Sequence, residues 1–234
     1  MLLRFALFAA LIAPSLLVGP TYAAPPRKAP PKPAAVKEVP PQPLHDTETV
    51  AMTTELGTIT LELDGKHAPI STANFMHYVD NKRFDGIVFY RAMHLKWGEQ
   101  PNGLIQAGTR GDPRKTFPPI AHEPTSQTGV LHKAGAISLA RLAPGTATGD
   151  FSILLSDIEG LDANPQSADP KGQAGYAAFG HVVSGMDVVR KIWDQPLDPD
   201  AGEGFMKGQM LAQPVKVITV RRVTVPVPGP ATAP

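Results

Sequence analysis

The feature that most constrains the fold is a series of short segments in which apolar and polar residues alternate. Residues 50–56 and 58–63 alternate in this way on either side of Gly57, as expected for two adjoining half-buried strands. Further strand candidates, each bounded by Gly, Pro or Asp, are residues 87–93, 104–107, 136–140, 151–155, 177–183 and 215–223. Only residues 69–79 and 186–193 have the spacing of helices. Many short strands with two helices favour a closed barrel or a sandwich, and closure removes exposed edges.

The two ends of the chain have compositions that cannot build a core. Residues 1–24 contain one arginine, an apolar stretch and then small residues, so we expect a cleavable signal peptide; an uncleaved N-terminal anchor is the alternative. Pro14 interrupts the apolar stretch, which stops short of the roughly 20 residues that a membrane span needs. Residues 25–47 are predicted to be a Pro-rich linker, 48–224 the folded domain and 225–234 a disordered tail. The predicted location is periplasmic or secreted.

Charge and cysteine content exclude several classes of partner and chemistry. The 22 Lys and Arg residues balance the 21 Asp and Glu residues, and no basic run could follow a phosphate backbone or an anionic membrane. We therefore expect no nucleic acid partner, and no membrane partner after the signal peptide is removed. The chain has no cysteine, which excludes disulfides, cysteine-bound zinc and thiol nucleophiles. Nothing in the sequence indicates an obligate dimer, so we expect a monomer.

Several catalytic and cofactor motifs are absent from the sequence. There is no Gly-x-Ser-x-Gly elbow, phosphate-binding loop, His-Glu-x-x-His pair or glycine-rich dinucleotide motif. The seven histidines are not spaced to place two on one face, and the acidic residues between positions 157 and 200 lie in loops typical of solvated turns. We expect no metal and no other cofactor. No nucleophile with a neighbouring base is visible, which argues against a hydrolase.

Five segments carry a more specific signal because they occur in a fixed order. They are residues 89–91 (Phe-Tyr-Arg), 104–108, 135–141, 150–153 and 177–189. Together with Ala68-Pro69 and Asn74-Phe75 they resemble the cyclophilin family, whose Phe-x-Arg, Gln-Gly-Gly, Gly-x-(Ile/Leu)-x-Met-Ala, Gln-Phe-Phe-Ile and Val-Phe-Gly segments have the same order. The resemblance covers about residues 48–224. It implies a mainly β fold, a closed eight-stranded antiparallel barrel capped by two helices.

The resemblance also implies a peptidyl-prolyl cis-trans isomerase site. Arg91 matches the family's catalytic arginine, and Gln106 matches the glutamine that holds a substrate carbonyl. The other substrate-binding residues implied by the match are Phe89, Leu104, Ala140, Asp150, Ser152, Leu161 and Tyr176. An X-Pro bond rotates through a state without amide resonance, and a guanidinium at the prolyl nitrogen stabilises the lone pair that appears there. The alternatives are a strand-end ion pair for Arg91 and a structural hydrogen bond for Gln106.

The chain departs from the family pattern around the proline pocket. The departures are Gly103-Leu104 in place of Phe-Met, Asp150-Phe151-Ser152 in place of Gln-Phe-Phe, Gly160 in place of Trp and Tyr176 in place of His. Losing two aromatic rings removes apolar surface from the pocket, where burial contributes about 25 cal/mol per Å². The segment between the matched arginine and glutamine is longer than in the family. We expect its Trp97 to fold back and replace a missing pocket aromatic.

The expected function is peptidyl-prolyl cis-trans isomerisation, with proline-containing segments of unfolded or exported proteins as partners. The alternative is a catalytically weak barrel that binds such segments as a chaperone or scaffold. Gly103, Asp150 and Ser152 favour the alternative, because they make the pocket less apolar. Arg91 and Gln106 favour the enzyme.

Overall fold

The computed structural model describes residues 38–223. The predicted signal peptide (1–24), most of the predicted linker and the predicted tail (225–234) lie outside these residues. The strands are β1 (Thr47–Thr54), β2 (Gly57–Asp64), β3 (Val88–His94), β4 (Gly103–Gly108), β5 (Ala136–Leu139), β6 (Phe151–Leu154), β7 (Ala177–Ser184), β8 (Leu197–Asp198) and β9 (Met210–Arg222). The helices are α1 (Pro69–Asp80), α2 (Thr125–Thr128), α3 (Pro170–Ala174) and α4 (Met186–Trp193). Two 3-10 turns span Glu159–Leu161 and Gly204–Met206.

Eight of the strands close into one antiparallel barrel. Their order is β1-β2-β7-β5-β6-β4-β3-β9, and β9 pairs again with β1 to complete the ring. The two-residue strand β8 pairs with the beginning of β9, where Leu197 lies opposite Leu211. The predicted mainly β, closed eight-stranded barrel is therefore confirmed.

The barrel interior is filled by the inward-facing residues of the alternating strands. Val50 in β1 and Ile59 in β2 are fully buried, as the period-two pattern requires. Helix α1 packs against β2, β7 and β9, and α4 packs against β2, β3 and β4. The ring of Phe75 in α1 reaches the core, where its centroid lies 5.3 Å from that of Phe151 in β6. The two predicted helices thus cover the barrel.

Three features of the described residues were not predicted. Helices α2 and α3 are only four and five residues long, too short for a periodic pattern. Strand β8 has two residues, and β9 begins at Met210 instead of at residue 215. The extra part of β9 contains Pro214, and proline in a strand weakens the sequence signal. Among residues 38–223, no helix has the length and apolar character required to span a bilayer.

The last residues of the predicted linker lie against the end of α1. The Val39 amide donates to Oδ1 of Asn81 at 2.7 Å, and the Val39 carbonyl accepts from Nδ2 of Asn81 at 3.0 Å. Nε2 of His77 lies 2.8 Å from Oε1 of Glu38. Contacts with the barrel domain therefore begin before Thr47, where β1 starts.

Candidate active site

A cavity of about 410 Å³ lies against the barrel wall formed by β3, β4, β6 and β5. The register of these neighbouring strands places Arg91 opposite Gln106, Gln106 opposite Ser152, and Ser152 opposite Ser138. All four side chains line the cavity, and we call them the polar row. The apolar part of the wall comes from Met93, Leu104, Leu139, Ala140 and Leu161. The cavity therefore combines an apolar surface with a line of polar groups, as ligand sites usually do.

Arg91 is held in the cavity wall by neutral acceptors on two sides. Nη1 donates to Oε1 of Gln106 at 2.8 Å. Nε and Nη2 both donate to Oε1 of Gln209, at 2.9 and 2.6 Å. The guanidinium carbon also lies 5.4 Å from the ring centroid of Phe205, which is within cation-π range. The orientation of the guanidinium is thus fixed by the protein itself, which is the condition for an effective electrostatic catalyst.

The charge of Arg91 is not neutralised by any carboxylate among residues 38–223. Its side chain is 7% exposed, and its hydrogen-bond partners are two amide oxygens and one thioether. Burial lowers the pKa of Arg91, but an arginine remains protonated at physiological pH. The contacts do not match the alternative of a strand-end ion pair. They leave a buried positive charge that can stabilise electron density on a bound ligand.

Gln106 has hydrogen-bonding capacity left over for a ligand. Its Oε1 accepts from Arg91, while its Nε2 has no partner among the described side chains and backbone. The residue is 8% exposed and lines the cavity. Its free N–H groups can donate to a carbonyl oxygen bound beside Arg91.

The structure brings most of the predicted site residues to this one cavity. Those that line it are Arg91, Leu104, Gln106, Ala140, Asp150, Ser152, Leu161 and Tyr176. They come from three strands, β3, β4 and β6, and from the segments that precede β6 and β7. Phe89 and Trp97 do not line the cavity, and both predictions need correction.

Phe89 lies on the opposite side of the barrel wall from Arg91. The β3–β4 register shifts between Phe89 and Arg91, so that Tyr90 is an extra residue in β3. Phe89 is fully buried in the core, with its ring centroid 6.2 Å from that of Phe151, while Tyr90 faces the cavity. Strict alternation would place Phe89 on the same face as Arg91. The bulge reverses this, so the prediction that Phe89 contacts substrate is wrong.

Trp97 does not fold back into the pocket. Its side chain is 62% exposed and is not part of the cavity wall. The Trp97 carbonyl accepts from Nδ2 of Asn102 at 2.6 Å and from Nε2 of Gln100 at 3.3 Å. These bonds fasten the backbone of the β3–β4 loop at the start of β4. They leave the indole outside the cavity, so the missing aromatic is not replaced by Trp97.

Gly103 cannot be replaced by an aromatic residue without rebuilding the β3–β4 pair. Its φ is +148°, and a Cβ at this position would lie 1.8 Å from the carbonyl oxygen of Met93. The same carbonyl accepts from the indole N–H of Trp193 at 3.0 Å, which packs α4 against this point. The absence of an aromatic here is therefore a consequence of backbone geometry.

Several cavity residues had no signal in the sequence. Phe205 and Met206 come from the 3-10 turn before β9, which the resemblance did not mark as part of the site. Gln209 bonds Arg91 from the same segment but does not itself line the cavity. Leu142 lines the cavity although its side chain is 92% exposed. Tyr90 had a sequence signal as the neighbour of Arg91 in an aromatic strand, and Ser138, Leu139 and Arg141 lie in the segment 135–141 that carries the resemblance.

Asp150 is an acidic group in the cavity wall. Its Oδ1 accepts from the Arg110 amide at 3.1 Å and from the hydroxyl of Tyr90 at 3.4 Å. Burial raises the pKa of Asp150, although both hydrogen bonds act in the opposite direction. Among residues 38–223, no group of three or more His, Asp or Glu side chains could hold a metal ion.

Comparisons with known proteins agree with this architecture. A family model described as cyclophilin type peptidyl-prolyl cis-trans isomerase/CLD matches residues 49–224. The chain is 36% identical over 176 residues to a peptidyl-prolyl cis-trans isomerase of Acinetobacter baylyi, covering 74% of this chain and 84% of that protein. It is 35% identical over 147 residues to peptidyl-prolyl cis-trans isomerase A of Dickeya dadantii, covering 61% and 70%.

A solved structure shows the same fold. The crystal structure of a cyclophilin type peptidyl-prolyl cis-trans isomerase of Cryptosporidium parvum matches with a TM-score of 0.59 at 16% identity, covering 77% of this chain and 99% of that one. This likeness supports the barrel, and the family model and the bacterial relatives extend the agreement to sequence. The chain therefore belongs to the cyclophilin-type peptidyl-prolyl cis-trans isomerase family.

Proposed function

We propose that this isomerase acts on X-Pro bonds of exported proteins, with Arg91 as its catalytic residue and Gln106 as the residue that holds the substrate carbonyl. The observation that carries the proposal is the fixed, uncompensated guanidinium of Arg91 beside the free amide N–H groups of Gln106 in one cavity. The peptidyl-prolyl isomerase activity itself follows from membership of the family.

The chemistry requires only electrostatics and shape. Rotation about an X-Pro bond has a barrier of about 18–20 kcal/mol, because amide resonance is lost in the twisted state. In that state the lone pair is localised on the prolyl nitrogen, and an N–H of Arg91 can donate to it. Gln106 holds a neighbouring carbonyl, and the apolar wall holds the ring while the other half of the bond rotates. Interactions that exist only in the twisted state lower the barrier.

Site-directed variants of the arginine test this assignment. Arg91→Ala should lower kcat/KM for a short Ala-Pro-Phe-type peptide by roughly 10²-fold, as loss of a preorganised donor does elsewhere. Exchange NMR measures the rate, and near-UV circular dichroism checks that the barrel is intact. Arg190→Ala is the matched control, because Arg190 is exposed on α4 and does not line the cavity. Equal rates for the Arg91 and Arg190 variants would exclude Arg91 as the catalytic residue.

The proposed site of action is the periplasm or the extracellular space, with a monomeric enzyme meeting unfolded clients there. Support comes from residues 1–24, whose arginine, apolar stretch and small residues fit a cleavable signal peptide. Fractionation of producing cells with N-terminal sequencing of the purified protein tests this. A mature N-terminus near residue 24 or 25 in the exported fraction is expected; an intact Met1 in the cytoplasm would refute it.

A second role is favoured by the lack of aromatic side chains at two positions of the predicted pocket. Ser152 and Gly103 contribute no aromatic surface, so substrates gain less from apolar burial and turnover can be slow. The protein would then act mainly by binding proline-containing segments. This role would be supported if Arg91→Ala bound an unfolded client with the affinity of the parent protein, and if the parent protein accelerated X-Pro isomerisation only slightly.

A further inference from the structure

A buried hydrogen-bonded chain lies directly behind the polar row. His132, in the loop before β5, is fully buried. Its Nδ1 lies 2.6 Å from Oδ1 of Asp162, and its Nε2 lies 2.8 Å from Oγ of Ser138. The same Asp162 oxygen accepts from the His132 amide at 3.0 Å, so both the ring and the backbone are fastened.

The direction of each hydrogen bond in this chain follows from the chemistry of the groups. Burial lowers the pKa of His132, so the imidazole is neutral and has one N–H. The Asp162 carboxylate can only accept, which places that N–H on Nδ1 and leaves Nε2 as an acceptor. Ser138 must therefore donate its hydroxyl hydrogen to Nε2. Its oxygen then presents only lone pairs to the cavity that it lines.

This arrangement has the connectivity of a nucleophile, base and acid, but it does not have the access that a hydrolase needs. His132 is fully buried and is not part of the cavity wall, so Nε2 cannot reach a leaving group. Its effect is to fix the Ser138 hydroxyl in one orientation. Ser138 becomes a permanent acceptor in the cavity.

Ser152 supplies a second, uncommitted hydroxyl beside it. Ser152 lies directly opposite Ser138 in the β5–β6 pair, and both line the cavity. It is 9% exposed, and its hydroxyl has no hydrogen-bond partner within the described part of the chain. Side chains directly opposite on one face have Cβ atoms about 4.5–5.5 Å apart, so the two hydroxyls meet the same part of the cavity.

We propose that this cavity selects a prolyl ring that carries a hydroxyl group, with Ser138 and Ser152 as its specificity-determining residues. The ligand hydroxyl donates to Oγ of Ser138 and accepts from the hydroxyl of Ser152. Each serine hydroxyl then has a hydrogen-bond partner on the ring, which an unsubstituted ring cannot provide. The preferred substrate class is therefore X-hydroxyproline peptides. This inference rests on the proposed function of the cavity as the site of the prolyl ring.

Three peptides that differ only in the imino acid test the proposal. They contain proline, 4-hydroxyproline and 4-fluoroproline of the same configuration at C4. Hydroxyl and fluorine are both electronegative and similar in size, so they bias the ring pucker alike, but only the hydroxyl can donate a hydrogen bond. Affinity is measured by calorimetric titration of the protein purified after export, and the isomerisation rate by exchange NMR.

We expect the hydroxyproline peptide to bind about fivefold more tightly than the fluoroproline peptide, as one added neutral hydrogen bond allows. In Ser152→Ala this ratio should fall, and in Ser138→Ala it should fall further, with near-UV circular dichroism confirming the fold of each variant. Measurements on the parent protein are enough to overturn the proposal: it is refuted if the two substituted peptides bind with equal affinity, or if no peptide binds. A binding preference without accelerated isomerisation would support the selectivity while refuting the catalytic assignment.

Discussion

The catalytic role proposed for Arg91 depends on the hydrogen-bond acceptors that fix the orientation of its guanidinium. A guanidinium on a flexible stem is useful only if its direction is fixed, because reorientation during the reaction would cancel much of the stabilisation. Gln106 fixes one edge from the neighbouring strand, and Gln209 fixes the other from a position 118 residues away in the chain. Gln209 is therefore a positioning residue, and its amide leaves the charge of Arg91 uncompensated.

Replacing Gln209 should reduce turnover more than substrate binding. We expect Gln209→Ala to lower kcat about tenfold with little change in KM, because the guanidinium loses two of its bonds to the protein. Gln209→Glu keeps an acceptor oxygen but adds a negative charge that competes with the substrate for Arg91. Its kcat should therefore lie between that of Gln209→Ala and that of the parent protein. Gln195→Ala is the matched control, because Gln195 is a half-buried residue just after α4 that does not line the cavity. A change in KM alone would contradict the positioning role.

Asp150 makes the stability of the protein depend on pH. Burial raises the pKa of the folded carboxyl above its unfolded value of about 3.9, so the folded state holds its proton to higher pH than the unfolded state does. The free energy of unfolding then falls as pH rises through this window, and the loss is complete above the folded pKa. Asp150 therefore costs stability at neutral pH.

The Asp150→Asn variant should have a higher Tm than the parent at pH 7, with the difference vanishing near pH 3. The amide oxygen can still accept from the Arg110 amide and the Tyr90 hydroxyl. Asp157→Asn is the control with the opposite sign, because the Ala134 amide and Lys133 lower the pKa of that exposed carboxyl. Thermal scans at both pH values measure the two shifts. A lower Tm for Asp150→Asn at pH 7 would contradict the argument.

At the scale of elements, local patterns predicted the strands but not the faces of all their residues. Alternation and Gly or Pro punctuation identified the eight barrel strands, since both are local properties of the chain. Arg91 and Gln106 were placed correctly in one cavity. Phe89 was not, because a bulge inserts one residue without leaving a mark in the alternation. The role of Gln209 depends on a contact between distant strands, which no local pattern contains.

The start of β4 offers a test of backbone geometry. Gly103→Ala should destabilise the protein by about 3 kcal/mol or more, because the new Cβ would collide with the Met93 carbonyl and φ would stay at an unfavourable positive value. Gly160→Ala is the matched control, since a Cβ there meets nothing within 4 Å. Urea unfolding followed by fluorescence gives both values. Similar stability of the two variants would show that the β3–β4 pair can shift at little cost.

At the scale of the whole molecule, the barrel depends on its first and last strands. Pairing of β1 with β9 closes the ring, and Arg222 near the end of β9 ties this seam to α1. Its Nη1 donates to Oε2 of Glu48 in β1 at 2.6 Å, and its Nε donates to Oδ1 of Asp80 in α1 at 2.8 Å. Glu48 is only 4% exposed, so its charge depends on this partner. One arginine therefore connects three elements at the point of closure.

Loss of this arginine should weaken the barrel as a whole. We expect Arg222→Ala to lower the free energy of unfolding by about 2 kcal/mol, because it leaves the buried Glu48 carboxylate without its cation. Arg114→Ala, which removes an arginine from an exposed pair with Asp112, should leave the free energy of unfolding almost unchanged. Urea titrations should show the Arg222 variant shifted in midpoint with an unchanged slope, since closure and core unfold together. Equal midpoints for the two variants would mean that main-chain pairing between β1 and β9 holds the seam without help from the side chain.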